Sequence, residues 1–96
     1  MSKREETAIE QWYRVEARTI MAGCLSEAKR RGLSASELTN VIEEKNRWDV
    51  DNAPALYAWI VERQLALDAF GANTTVEQLE REREERDRTL RMEIEA

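Results

Sequence analysis

Three glycines and one proline are all the chain offers to interrupt regular structure, and they stand at Gly23, Gly32, Gly71 and Pro54. A β-rich fold needs turn residues at roughly ten-residue intervals. Helices need far fewer breaks, and the spacing here leaves long uninterrupted stretches. Within them, apolar residues recur three and four positions apart, the period of a helix with one buried face. The sequence therefore predicts an all-α fold, a compact three- to four-helix bundle with a charged, protruding C-terminal helix.

Four segments follow from the start and stop signals. The first helix is predicted from about Lys3 to Arg31, with Ile9, Trp12, Tyr13, Ala17, Ile20, Met21, Cys24, Leu25 and Ala28 on a wide apolar stripe. Its last turn carries Lys29, Arg30 and Arg31, where cations oppose the helix dipole, and Gly32 supplies a left-handed end. Ser34 and Glu37 have capping-box spacing, with Leu33 and Leu38 as a hydrophobic staple. That box opens a second helix reaching about Asn46. A loop from Asn46 to Asn52 is expected to use Trp48 and Val50 as apolar anchors.

Asp51 or Asn52 can cap the third helix, and Pro54 suits its first turn. The segment Ala53–Phe70 is apolar nearly all round, which predicts a central helix or one at a subunit interface. Gly71 is expected to end it. Thr74 and Glu77 suggest a second capping box, opening a fourth helix from Thr75. In that helix Glu80–Thr89 has no apolar side chain, while Glu82–Arg86, Glu84–Arg88 and Arg81–Glu85 sit at helical pairing distance. Such a stretch cannot bury itself. Residues 1–79 are read as a helical core domain and 80–96 as a charged arm, with Leu90, Met92 and Ile94 returning as an apolar patch beyond the charges.

Charge narrows the function classes. Residues 1–48 carry nine basic and eight acidic side chains, and residues 49–96 carry six basic and twelve acidic ones. Duplex binding rests on phosphate neutralisation, yet only Lys29-Arg30-Arg31 forms a basic run. Direct nucleic-acid binding is therefore not expected. No apolar run reaches the roughly 18–20 residues of a membrane span. The first apolar cluster is broken by Arg14, Glu16 and Arg18, so no signal peptide is expected.

Candidate chemistry is sparse. With no His and one Cys, most metal sites and any internal disulfide are excluded, and Cys24 has no partner base to activate it. Cys24 lies on the apolar stripe, and a lone thiol fits a reducing, cytoplasmic setting. Asp49-Val50-Asp51-Asn52 resembles a fragment of a calcium loop, but the twelfth position from Asp49 is Ile60 where a closing Glu is required. Adjacent carboxylates such as Glu43-Glu44 and Glu84-Glu85 diverge by about 100° around a helix and do not form acid–base pairs. No glycine-rich phosphate loop is present. No cofactor, metal or catalytic residue is assigned.

The leading expectation is a non-catalytic protein-binding module: a small acidic adaptor, regulator or inhibitor acting on a basic surface of another protein, with a homodimer as a further possibility. Many phage-encoded inhibitors and accessory proteins are of this type, a likeness that no motif carries. The expected partner-binding residues are Trp48, Asp49 and Asp51 in the loop, with Glu80, Glu82, Glu84, Glu85 and Asp87 on the arm. Trp12 and Trp59, lying in apolar stripes, are expected in the core. Two alternatives remain. A helix-turn-helix regulator is suggested by Gly32–Leu38, but the third helix opens Ala-Pro-Ala-Leu-Tyr-Ala-Trp and offers nothing to base edges. A small helical enzyme working with arginines and carboxylates is possible by size alone.

Overall fold

The structure, a computed structural model, describes residues 7–95, with side chains described as far as Met92. Four helices follow in order: α1 (Ala8–Arg31), α2 (Ala35–Glu44), α3 (Ala53–Gly71) and α4 (Val76–Glu95). There is no strand among the described residues.

Each boundary has a local cause. Thr7 caps α1, its side chain accepting from the Glu10 amide. The expected extension of this helix back to Lys3 lies outside the described residues. The helix runs unbroken through Gly23 and stops at Gly32, where φ is 65°. There the Leu33 amide donates to the Ala28 carbonyl at 2.9 Å, closing the left-handed end. The capping box at α2 is complete: the Glu37 amide donates to Ser34 Oγ, and the Ser34 amide donates to Glu37 Oε1, both at 3.2 Å. These bonds favour the ionised carboxylate and hold Glu37 below its ordinary pKa, the Ser34 backbone contributing most.

Asn52 caps α3 through the Ala55 amide, with Pro54 in the first turn. Two boundaries differ from expectation. Gly71 is still helical, and the left-handed residue is Asn73, with φ 54°. The amide of Thr74 then donates to the Ala69 carbonyl, so the chain leaves α3 two residues later than Gly71 implied. That delay passes the capping role from Thr74 to Thr75, whose Oγ accepts from the Gln78 amide at 3.1 Å.

Helix α3 is central: it packs against α1, α2 and α4, and its longest contact is with α1. The core joins Ala17, Met21, Cys24, Leu25 and Ala28 of α1 to Leu38 and Ile42 of α2, to Trp59, Ala66 and Ala69 of α3, and to Val76 of α4. Alanines at 17, 28, 66 and 69 let the α1 and α3 backbones approach closely. The backbone of α4 lies against α3 alone, and every side chain from Arg81 to Met92 is exposed. Glu82–Arg86, Glu84–Arg88 and Arg81–Glu85 have the spacing to pair, but none of the three closes to an ion pair.

Candidate functional site

Two places gather side chains of chemical interest. The first is the end of the bundle where the α2–α3 loop meets α1. Trp48, Tyr13 and Trp12 form an edge-to-face series running outward from buried Trp59. Ring centroids are 5.5 Å apart for Trp59–Trp48, 6.0 Å for Trp48–Tyr13 and 5.2 Å for Tyr13–Trp12. The loop is tied down at each side of Val50. Asn46 Oδ1 accepts from the Trp48 amide at 3.2 Å, and Asn52 Nδ2 donates to Tyr13 Oη at 2.9 Å. Arg47 lies over the Trp48 ring, 5.1 Å from its centroid, and pairs with Glu16 of α1.

This arrangement reverses two expectations. Trp12 is not in the core: it is 53% exposed. It precedes Ala17 by five residues, which turns it about 140° away from the buried arc of α1. Trp48 is half-buried and packs against the core, so it anchors the loop as expected. Trp59 is buried as expected. Its Nε1 has no acceptor among the described residues, so packing rather than a hydrogen bond holds the ring. Val50, expected to anchor the loop, is 84% exposed. With Ile9 and Trp12 it makes the apolar part of this end, and Asp49 and Asp51, also exposed, stand on either side of Val50.

The second place is an ion-pair cluster that no motif in the sequence singles out. Glu62, in the middle of α3, is 1% exposed. Arg18 Nε donates to its Oε2 at 2.9 Å and Arg18 Nη2 to its Oε1 at 3.0 Å. Arg14 Nε stands 3.6 Å from Oε1. Arg18 also reaches Glu80 of α4, so one guanidinium joins three helices. Its own pKa rises, chiefly through the Glu62 hydrogen bonds. The only available signal was phase: Glu62 follows Ala58 by four and precedes Ala66 by four, on the buried arc.

Gln11, Arg14, Val15, Arg18 and Glu62 line an open depression of about 280 Å³. Both Glu62 oxygens already accept from Arg18, so the carboxylate is engaged in holding helices together and is poorly placed as a general base. The thiol of Cys24 is buried, and burial pushes its pKa up, the opposite of an activated nucleophile. Among the described residues no three His, Cys, Asp or Glu side chains converge as metal ligands, and no helix is long and apolar enough to cross a membrane.

The acidic arm residues are not gathered into one site. Glu80 is half-buried and spent on Arg18, while Glu82, Glu84, Glu85 and Asp87 are exposed and interspersed with arginines. Asp49 and Asp51 lie on the loop, whereas the arm leaves from α3 at its other terminus. No known protein family, curated protein or solved structure matches the chain.

Proposed function

We propose that this chain is a non-catalytic protein-binding module, an adaptor, regulator or inhibitor, that docks a basic protein surface through the aromatic end of its bundle. The observation that carries this reading is the exposure of Trp12 on a supported base. Its ring rests edge-on against Tyr13, which is itself fixed by Trp48 and Asn52. A large aromatic presented on a rigid support loses little entropy on binding, a common property of residues that dominate interface energy. Ile9 and Val50 extend the apolar contact, and Asp49 and Asp51 add charge that favours a basic partner. Phage-type accessory proteins are one class that acts this way, and the buried free Cys24 fits a reducing, cytoplasmic setting.

The outward side chains of α3 support protein contact over DNA reading. Over its first two turns the large ones are Tyr57 and Ile60, and neither is one of the Arg, Lys, Asn or Gln side chains that pair with base edges.

The test is co-purification from host extract with the full chain, run in parallel with Trp12→Ala and with the double substitution Asp49→Lys, Asp51→Lys. A partner captured by the parent chain should be lost from both variants and should elute as salt is raised. A partner retained equally by all three chains would place the binding surface elsewhere. Tight retention of random duplex DNA by the parent chain would favour the regulator alternative.

A further inference from the structure

Helix α3 buries one side in its own bundle and turns the other outward. Set in a seven-residue repeat lettered a to g, with Tyr57 at a, the helix divides cleanly. Its b, c and f positions from Ala55 to Ala69 are all buried except half-buried Leu65. The a and d positions are Ala53, Tyr57, Ile60, Gln64, Leu67 and Gly71, spaced four and three apart along the opposite side. None of these six carries a charge, and all are exposed except half-buried Leu67. Tyr57 is 71% and Ile60 54% exposed, and half-buried Leu56, Val61 and Phe70 flank the row.

We infer that two copies of this chain associate through this face, α3 against α3, parallel and in register about a two-fold axis. Spacing of four and three is the geometry in which two helices wind together along one seam. In a parallel pair each a or d residue meets its own counterpart, so Ile60 meets Ile60 and Leu67 meets Leu67 of the second copy. Each g residue lies beside the e residue five positions further on. That sets Leu56 beside Val61, apolar on apolar, and Arg63 beside Asp68, opposite in charge. An antiparallel pair in the same seam sets g beside g, and Arg63 then faces Arg63 of the second copy. The flanks therefore select the direction.

The two flanking charges already have partners within the chain and still have capacity for another. Arg63 spends Nη1 on Glu43 and keeps the other N–H donors of its guanidinium. Asp68 accepts from Gln64 on one oxygen and from Arg83 on the other, and each oxygen has a second lone pair. The apolar seam supplies the affinity and the charges set the direction, since exposed ion pairs are worth little. Gln64 is the one amide in the seam, and a lone polar residue at a fixes register at some cost in stability. The 19 residues of α3 give a seam of about 28 Å, a small interface, so association should depend on concentration. Asn52, which caps α3, bonds Tyr13, so a parallel pair carries both aromatic ends at one end of the dimer. The seam contains no residue of the docking end, and each stands or falls without the other.

The test is sedimentation equilibrium of the full chain from micromolar to millimolar concentration, with circular dichroism to confirm folding. The parent's mass should rise from 11.2 kDa toward twice that value. Ile60→Glu should keep the parent's helicity yet stay at 11.2 kDa throughout, and Tyr57→Lys, at a still more exposed position, should do the same. Ala53→Cys under mild oxidation reads the direction. Position 53 is exposed and at d, so in a parallel pair its two copies adjoin and the variant should cross-link to itself. In an antiparallel pair position 53 lies by position 71 of the second copy, out of reach of its counterpart. The native thiol, Cys24, is buried, and the parent chain serves as the control. The inference is overturned by a parent that stays at 11.2 kDa at every concentration, by folded seam variants that still dimerise, or by an Ala53→Cys chain that does not cross-link.

Discussion

Arg18 of α1 grips both oxygens of Glu62 of α3, at 2.9 and 3.0 Å, and the two groups differ sharply in their access to water. The carboxylate is 1% exposed, whereas the guanidinium keeps 32% of its surface and a second partner in Glu80. Removing one member of a pair is harmful in proportion to how firmly the other is trapped. Arg18→Met should therefore destabilise strongly, by about 3 kcal/mol, because Glu62 stays buried with only Arg14 nearby. Glu62→Met should be milder, since Arg18 can turn toward Glu80 and solvent. The double substitution should recover most of the loss, as well-packed apolar replacements of buried pairs often do. Urea midpoints of the four proteins decide it. Equal losses for the two single variants, or additive losses in the double, would contradict this account.

The α2 cap gives a prediction in pH. Ser34→Ala removes the acceptor for the Glu37 amide and should lower stability by about 0.5–2 kcal/mol at neutral pH. Glu37 adds a pH-dependent part. Its folded pKa lies below the ordinary 4.5, so between the two values the unfolded chain binds more protons than the folded one. The contribution is complete above 4.5 and fades as pH falls through the lower, folded value. Glu37→Ala and the parent chain should thus differ in thermal midpoint at pH 7 and converge in strong acid. A difference that stays constant with pH would show that the carboxylate does not act through these bonds.

Trp12 and Trp48 should separate stability from binding. Replacing a core aromatic by Ala destabilises by about 3–5 kcal/mol. Trp48 is half-buried and touches both Trp59 and Tyr13, so Trp48→Ala should lose about 2 kcal/mol or more. Trp12→Ala forfeits mainly its edge contact with Tyr13, about 1 kcal/mol. Denaturant unfolding of both variants, set beside partner capture, is the measurement. If Trp12→Ala were the more destabilising, the exposed indole would be a structural plug and not a docking group.

These residues also show what the sequence could and could not disclose. Ser34, Glu37 and Gly32 were legible because a cap is written within a few residues. Asn73 and Thr75 were missed by one or two positions. Thr74…Glu77 and Thr75…Gln78 both satisfy the same spacing rule, and only the exit path from α3 chooses between them. Trp12 and Tyr13 were both assigned to the stripe, although adjacent helical positions differ by about 100°, enough to put one ring out and the other in. Glu62 goes unremarked within a segment that reads as apolar nearly all round. Its partner lies 44 residues away, and no local pattern announces a pair at that distance.

The arm gives the last prediction, because its buried and exposed parts divide cleanly. Everything α4 contributes to the core sits at its start: Val76 and Leu79 pack on the core, Glu80 reaches Arg18, and Arg83 pairs with Asp68 at 2.9 Å. Beyond Arg83 no described side chain is buried. A chain ending at Arg83 should keep a single cooperative thermal transition and lose at most about 1 kcal/mol of stability, since exposed ion pairs are worth little each. Its mean residue helicity should be retained through α1, α2 and α3, with the loss confined to the deleted turns. Loss of cooperativity on truncation would mean that the distal turns of α4 stabilise the bundle itself, and the division between core and arm would have to be redrawn.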